Sequence, residues 1–132
     1  MLFRSRLKGK SPTKGSIIHP VSTGISYSLL DKTAADKVPL VMIGYGRTDT
    51  IDGRYFPYAF PLVTTYQMQA SAIIKFLADK EKSLAGKKIV FLYHDSAYGK
   101  EPILALEAES RLNKFELVQI RSEEHTSELQ SH

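Results

Sequence analysis

The apolar positions of this chain fall in short blocks separated by polar and glycine-containing turns, and the period inside each block separates strands from helices. "KKIVFLYH" (Lys87–His94) is β-branched, aromatic and short, and reads as a strand. "VPLVMIGYG" (Val38–Gly46) is a continuous apolar run ending in glycines, the pattern of a strand buried on both faces. "GSIIHP" (Gly15–Pro20), "YAFPLV" (Tyr58–Val63) and "KFELVQI" (Lys114–Ile120) read as further strands, with Pro61 pointing to an edge or a strand end.

Between these blocks the period changes to that of a helix. In "VSTGISYSLLDKTAADK", Ser22 or Thr23 can cap a helix whose apolar positions are Ile25, Leu29, Leu30 and Ala34. In "TTYQMQASAIIKFLADKEKSL", Thr64 or Thr65 is the cap, and Tyr66, Ala70, Ile73, Ile74 and Leu77 form one face, with "AGK" as the break. "ILALEAESRLNK" is a third helix, with Pro102 suited to its first turn. Met42 and Met68 read as core filling. "RTDTIDGRYFP" is a loop. The order β-α-β-loop-β-α-β-α-β predicts an α/β fold, a Rossmann-like parallel sheet with helices on both faces.

In such sheets, ligands bind beyond the carboxyl ends of the strands. Three segments lie there: "HPVSTG", "GYGRTD" and "HDSAYG". In the first, the hydroxyls of Ser22 and Thr23 and the free amides of a helix start make either a plain cap or a carboxylate site. In the second, Tyr45, Gly46, Arg47 and Thr48 offer an aromatic face, a flexible backbone, a cation and a hydroxyl. Arg47 serves either a ligand or an ion pair with Asp49 or Asp52. Gly44 and Gly46 are only a G-x-G, and no phosphate-cradling loop occurs. In the third, His94, Asp95 and Ser96 are contiguous, a poor arrangement for a nucleophilic triad, and no G-x-S-x-G elbow is present. Ser96 is better suited to capping the following helix. His19 and His94 end strands without ligand-spaced partners, so no metal and no cofactor are expected.

Composition narrows the class. The chain has 132 residues, is 42% hydrophobic and 24% charged, and carries no cysteine. That fits a globular domain without disulfides or thiolate metal sites. No apolar run spans a membrane. The basic start "RSRLKGK" has no interleaved aromatics and reads as a solvated surface, so no nucleic-acid partner is expected.

The two ends are related at the level of codons. Arg121–His125 can be encoded by AGA TCG GAA GAG CAC. Its reverse complement, GTG CTC TTC CGA TCT, read from GTG as a start codon, encodes Met1–Ser5. The element resembles a sequencing-library adapter, whose continuation encodes Thr126–Ser131 and opens a histidine codon. The expectation is that residues 1–5 and 121–132 are adapter-derived. Dropping them takes Lys+Arg from 18 to 16 and Asp+Glu from 14 to 11, so the net charge moves from +4 to +5.

The ordered set "IIHPVSTGISYSLLDKTAADKVPLVMIGYG", "FPYAFPLVTTYQMQASAIIKFL" and "KKIVFLYHDSAYGKE" resembles the type I periplasmic binding proteins, in particular the leucine-type branched-chain amino-acid receptors of ABC transporters. The resemblance covers essentially Ser16 to Ile120. It implies a two-lobed fold that closes on a branched-chain amino acid, or a related small carboxylate or amide, and passes it to a membrane permease. It also implies no enzymatic activity and, for the full-length protein, a periplasmic or extracellular place, free or lipid-anchored. On this alignment residues 6–85 are the latter part of the first lobe and residues 86–120 the start of the second. Carboxylate and ammonium binding fall on Ser22, Thr23, Tyr45, Gly46 and Thr48, and Tyr98 packs over the ligand. Tyr45 and Arg47 depart from a small-residue pattern, which widens the implied ligand to amides and aromatic acids. The alternatives are a sensory-receptor ectodomain of the same fold, or an α/β hydrolase using Ser22 or His94 with Asp95.

Overall fold

The structure, a computed structural model, describes residues 16–18, 20–43 and 47–122. The basic start, His19, Gly44, Tyr45, Gly46 and the chain beyond Ser122 lie outside the described residues. The elements run β1 (Ile17–Ile18), α1 (Thr23–Asp36), β2 (Leu40–Met42), a 3-10 turn (Thr48–Ile51), β3 (Ala59–Pro61), α2 (Tyr66–Glu81), β4 (Lys88–His94), α3 (Ala97–Lys100), α4 (Ile103–Asn113) and β5 (Glu116–Ser122). The alternation expected from the pattern is present, with one extra short helix, α3. The chain divides between Thr65 and Tyr66 into two compact units, so α2 belongs to the second.

In the first unit, β1, β2 and β3 form a parallel sheet in that order. Leu40 pairs with Ile17 on one side and Ala59 on the other, which makes β2 the central strand. Its burial follows the two-residue period: Leu40 and Met42 are fully buried, while Val41 is only half-buried. Leu30, Leu40, Met42 and Ala59 form the core, with Leu29 and Phe56 packed against it. Pro61 closes β3, as its missing amide requires.

The buried stripe of α1 differs from the expected one. Ile25 and Ala34 are exposed, and the buried positions are Thr23, Ser26, Leu30 and Thr33. Two of the buried hydroxyls are satisfied within the helix. Ser26 Oγ donates to Ser22 O at 2.9 Å, and Thr33 Oγ1 bonds Leu29 O and Leu30 O at 2.9 Å each. Such back-bonding removes the penalty of about 1–3 kcal/mol for an unsatisfied buried polar group. An apolar-only pattern therefore misses this face. The helix ends at Lys37, whose left-handed backbone (φ 55) lets its amide bond Ala34 O and Thr33 O.

In the second unit, β4 and β5 pair in parallel from Lys88↔Glu116 to His94↔Ser122. Helices α2 and α4 supply Ala70, Ile74 and Leu106, which form one core with Leu84 and Phe115; Ile89, Phe91 and Leu117 pack on it from the sheet. Three expectations for α2 are corrected. Ile73 and Met68 are exposed rather than buried. The helix stops at Glu81, before "AGK", because Lys82 already takes a left-handed conformation (φ 62). Pro102 is the N-cap of α4, with a helical backbone (φ −71, ψ −18) and its carbonyl accepting from Leu106 N–H at 3.0 Å, in keeping with its expected place at the helix start. The sheet is also covered on one face only among the described residues. Val90, Leu92 and Ile120, on the face opposite to Ile89, Phe91 and Leu117, are exposed.

Candidate functional site

At the end of β1 the chain turns tightly, with Ser22 N–H donating to Pro20 O at 2.8 Å. Ser22 then takes an extended backbone (φ −169, ψ 128) and becomes the N-cap of α1; its Oγ accepts from Ile25 N–H at 3.3 Å. Thr23 follows as the first helical residue. It is 3% exposed, and its Oγ1 is the one buried side-chain polar atom without a hydrogen-bond partner among the described residues. Beside it, the amides of Thr23 and Gly24 have no acceptor within the helix, while that of Ile25 is taken by Ser22 Oγ. The turn thus presents donors, and one buried hydroxyl with unused capacity, at the carboxyl end of a parallel strand.

At the end of β2, Tyr45 and Gly46 lie outside the described residues. Arg47 and Thr48 open the 3-10 turn. Arg47 is not a free cation: its Nε and Nη2 reach Asp49 Oδ2 at 2.8 and 2.7 Å, and its guanidinium lies 5.7 Å from the Phe56 ring centroid. Of the two acids open to it, Asp49 is the partner; Asp52 is taken by Arg54 through bonds of 2.9 and 2.6 Å. The Arg54 hydrogen bonds hold the Asp52 carboxyl below its ordinary range. Thr50 is buried beneath this loop and donates to Arg47 O at 2.6 Å. Thr48 is half-buried at the start of the turn. The loop is therefore held mainly by its own short-range bonds.

In the second unit, β4 ends at His94 and α3 begins after Ser96, whose Oγ accepts from Gly99 N–H at 3.1 Å. Ser96 is a cap as expected, but of the short extra helix α3 and not of the helix that starts at Ile103. Asp95 pairs with Lys100 and, at 3.0 Å, with Arg121. The hydrogen bond from Lys100 is the main reason that its carboxyl lies below the ordinary range. Asp95 and Ser96 are thus engaged with cations and a helix cap. Tyr98 is 55% exposed, and its ring makes an edge contact with Tyr66, 5.4 Å between centroids at 72°.

Gly99 carries a packing role that the sequence pattern does not mark. It is buried, and a Cβ placed on it would lie 2.0 Å from His94 O. Only glycine lets α3 fold this closely over the end of β4. The signal was present in the "YG" pair, but a glycine that is required for space cannot be told from a turn glycine by composition. Among the described residues no group of three His, Asp or Glu side chains could hold a metal, and no helix is long and apolar enough to cross a membrane.

Two parallel βαβ units with polar turns at the strand ends define the class of fold, and comparison with known proteins gives the family. Residues 16–130 match the family described as periplasmic binding protein. The chain belongs to that family. A crystal structure described as an ABC transporter permease from the Pseudomonas fluorescens group is similar, with 36% identity and a TM-score of 0.80 over 92% of this chain and 30% of that one. A branched-chain amino acid ABC transporter protein from Thermus thermophilus with bound valine is similar at 20% identity and a TM-score of 0.69, again over 92% of this chain and 30% of that one. The second likeness shows the fold alone. The chain spans about 30% of the length of these structures. Comparison with curated proteins finds no match.

Proposed function

We propose that the chain is part of a substrate-binding protein that captures a branched-chain amino acid, or a related small carboxylate or amide, and delivers it to an ABC permease. Family membership supplies the class. The observation that carries the site is Thr23 Oγ1, buried and unpartnered at the start of α1. A buried hydroxyl without a partner costs about 1–3 kcal/mol unless a ligand takes it up. A carboxylate is suited to that position, because the helix start adds backbone amides and a favourable dipole.

Ser22, Thr23 and the amides beside them would hold the carboxylate. Tyr45, Gly46 and Thr48 would complete the first-unit site. Arg47, matched by Asp49, would shape the loop rather than supply net charge. Tyr98 would provide an apolar wall for the side chain. In the full-length protein the place is the periplasm or the outer surface, free or lipid-anchored.

The test is a thermal-shift screen of the full-length protein against the common L-amino acids, their amides and aromatic acids. A rise of several degrees with one chemically related group supports the reading. A protein stabilised only by sugars or by metal ions would contradict it. Closure needs two complete lobes, so residues 6–120 alone are expected to bind weakly; micromolar amino-acid binding by that segment in calorimetry would refute this part.

A further inference from the structure

We infer that Tyr66 is a positioning residue for Tyr98, holding the Tyr98 ring at a set tilt beyond the carboxyl end of β4. The inference rests on the ligand-wall role proposed for Tyr98. The backbone at residue 98 is fixed on several sides. Gly99 abuts the His94 backbone, Ser96 caps α3, and Asp95 pairs with Lys100 of α3.

A fixed backbone leaves the two side-chain torsions free, and Tyr98 is 55% exposed, so no core locks its ring. The contact described for that ring is with Tyr66, 5.4 Å and 72°. The geometry is the edge-to-face arrangement that aromatic quadrupoles favour. The two rings are not equivalent. Tyr66 is half-buried and opens α2, a helix anchored in the core by Ala70 and Ile74. Tyr66 is therefore the support and Tyr98 the held ring. An edge contact uses little of a ring's surface, which leaves Tyr98 able to meet a ligand.

Pre-ordering a side chain removes part of the entropy lost on binding. Releasing Tyr98 should weaken binding roughly two- to tenfold through the lost pair and the lost order. The test compares Tyr66→Leu, which removes the ring, with Tyr66→Phe, which keeps it. By NMR on the chain, the Tyr98 ring-proton shifts should persist in Tyr66→Phe and move to those of an exposed tyrosine in Tyr66→Leu. Unmoved shifts in Tyr66→Leu overturn the inference.

Titration of L-valine, L-leucine and L-phenylalanine into the full-length protein gives the second arm. Weaker binding in Tyr66→Leu, restored in Tyr66→Phe, supports positioning. Equal affinity in Tyr66→Leu and wild type overturns it. A Tyr98→Ala protein that keeps wild-type affinity overturns instead the role given to Tyr98, so the two failures are distinguishable.

Discussion

Replacing Gly99 with alanine should destabilise the second unit, against the usual rule. Residue 99 is in a short α-helix and does not have a left-handed backbone, so alanine would ordinarily gain about 1 kcal/mol over glycine. Space reverses the sign. The added Cβ would stand 2.0 Å from His94 O, 2.9 Å from its carbonyl carbon and 3.0 Å from its amide nitrogen. Carbon–oxygen contacts of this kind normally begin near about 3.3 Å, so α3 must retreat by roughly 1 Å. Backbone atoms cannot rotate away as a flexible side chain does. The retreat strains the Ser96 cap, worth about 1 kcal/mol, on top of about 1–3 kcal/mol for overpacking. A net loss of about 1–3 kcal/mol is expected after the propensity gain.

Urea unfolding followed by far-UV circular dichroism measures it, with an expected fall in midpoint of about 1–2 M. Gly24→Ala is the control, because the nearest atom to its added Cβ is Ser22 Oγ at 3.8 Å. It should be neutral or stabilising by up to about 1 kcal/mol. A Gly99→Ala protein within about 0.5 kcal/mol of wild type would refute the packing argument.

Acid should weaken the second unit through Asp95. Its carboxyl is held low in the folded chain, mainly by the Lys100 hydrogen bond, so the folded state binds fewer protons than the unfolded one near the ordinary value of 3.8. The contribution is present above that value and lost as pH falls through the lowered pKa; Asp95→Asn should flatten the acid limb of stability against pH, and an unchanged limb would contradict the assignment. The exposed face carrying Val90, Leu92 and Ile120 should drive self-association of the chain. Leu92→Thr with Ile120→Thr should reduce it in sedimentation velocity, and unchanged association would place the sticky surface elsewhere.

The alternating order of strands and helices and the parallel pairing follow from hydrophobic period, and so does the burial of Leu40, Met42, Ala70 and Ile74. What period misses has physical causes. α1 buries Ser26 and Thr33 because back-bonding satisfies their hydroxyls. Ile73 and Met68 have the residue types of a core but face outward. Lys82, Lys37 and Lys114 end helices in left-handed conformations where glycine or asparagine is the usual signal. At the site, the caps at Ser22 and Ser96 are readable from the sequence. The pairing of Arg47 with Asp49 rather than Asp52, the orphan hydroxyl of Thr23 and the contact between Tyr66 and Tyr98 depend on three-dimensional placement that residue type and spacing do not encode.

The most direct test of the central claim is Thr23→Val, measured for stability and for binding in the full-length protein. Valine keeps the shape and removes the unpartnered hydroxyl. Without ligand, the variant should be as stable as wild type or more stable by about 1 kcal/mol. Calorimetric titration with L-valine and L-leucine should then show affinity lowered about tenfold, the loss of one hydrogen bond to a charged group. Undiminished affinity, or a variant that loses stability by more than about 1 kcal/mol, would show that the Thr23 hydroxyl serves the fold and not a ligand.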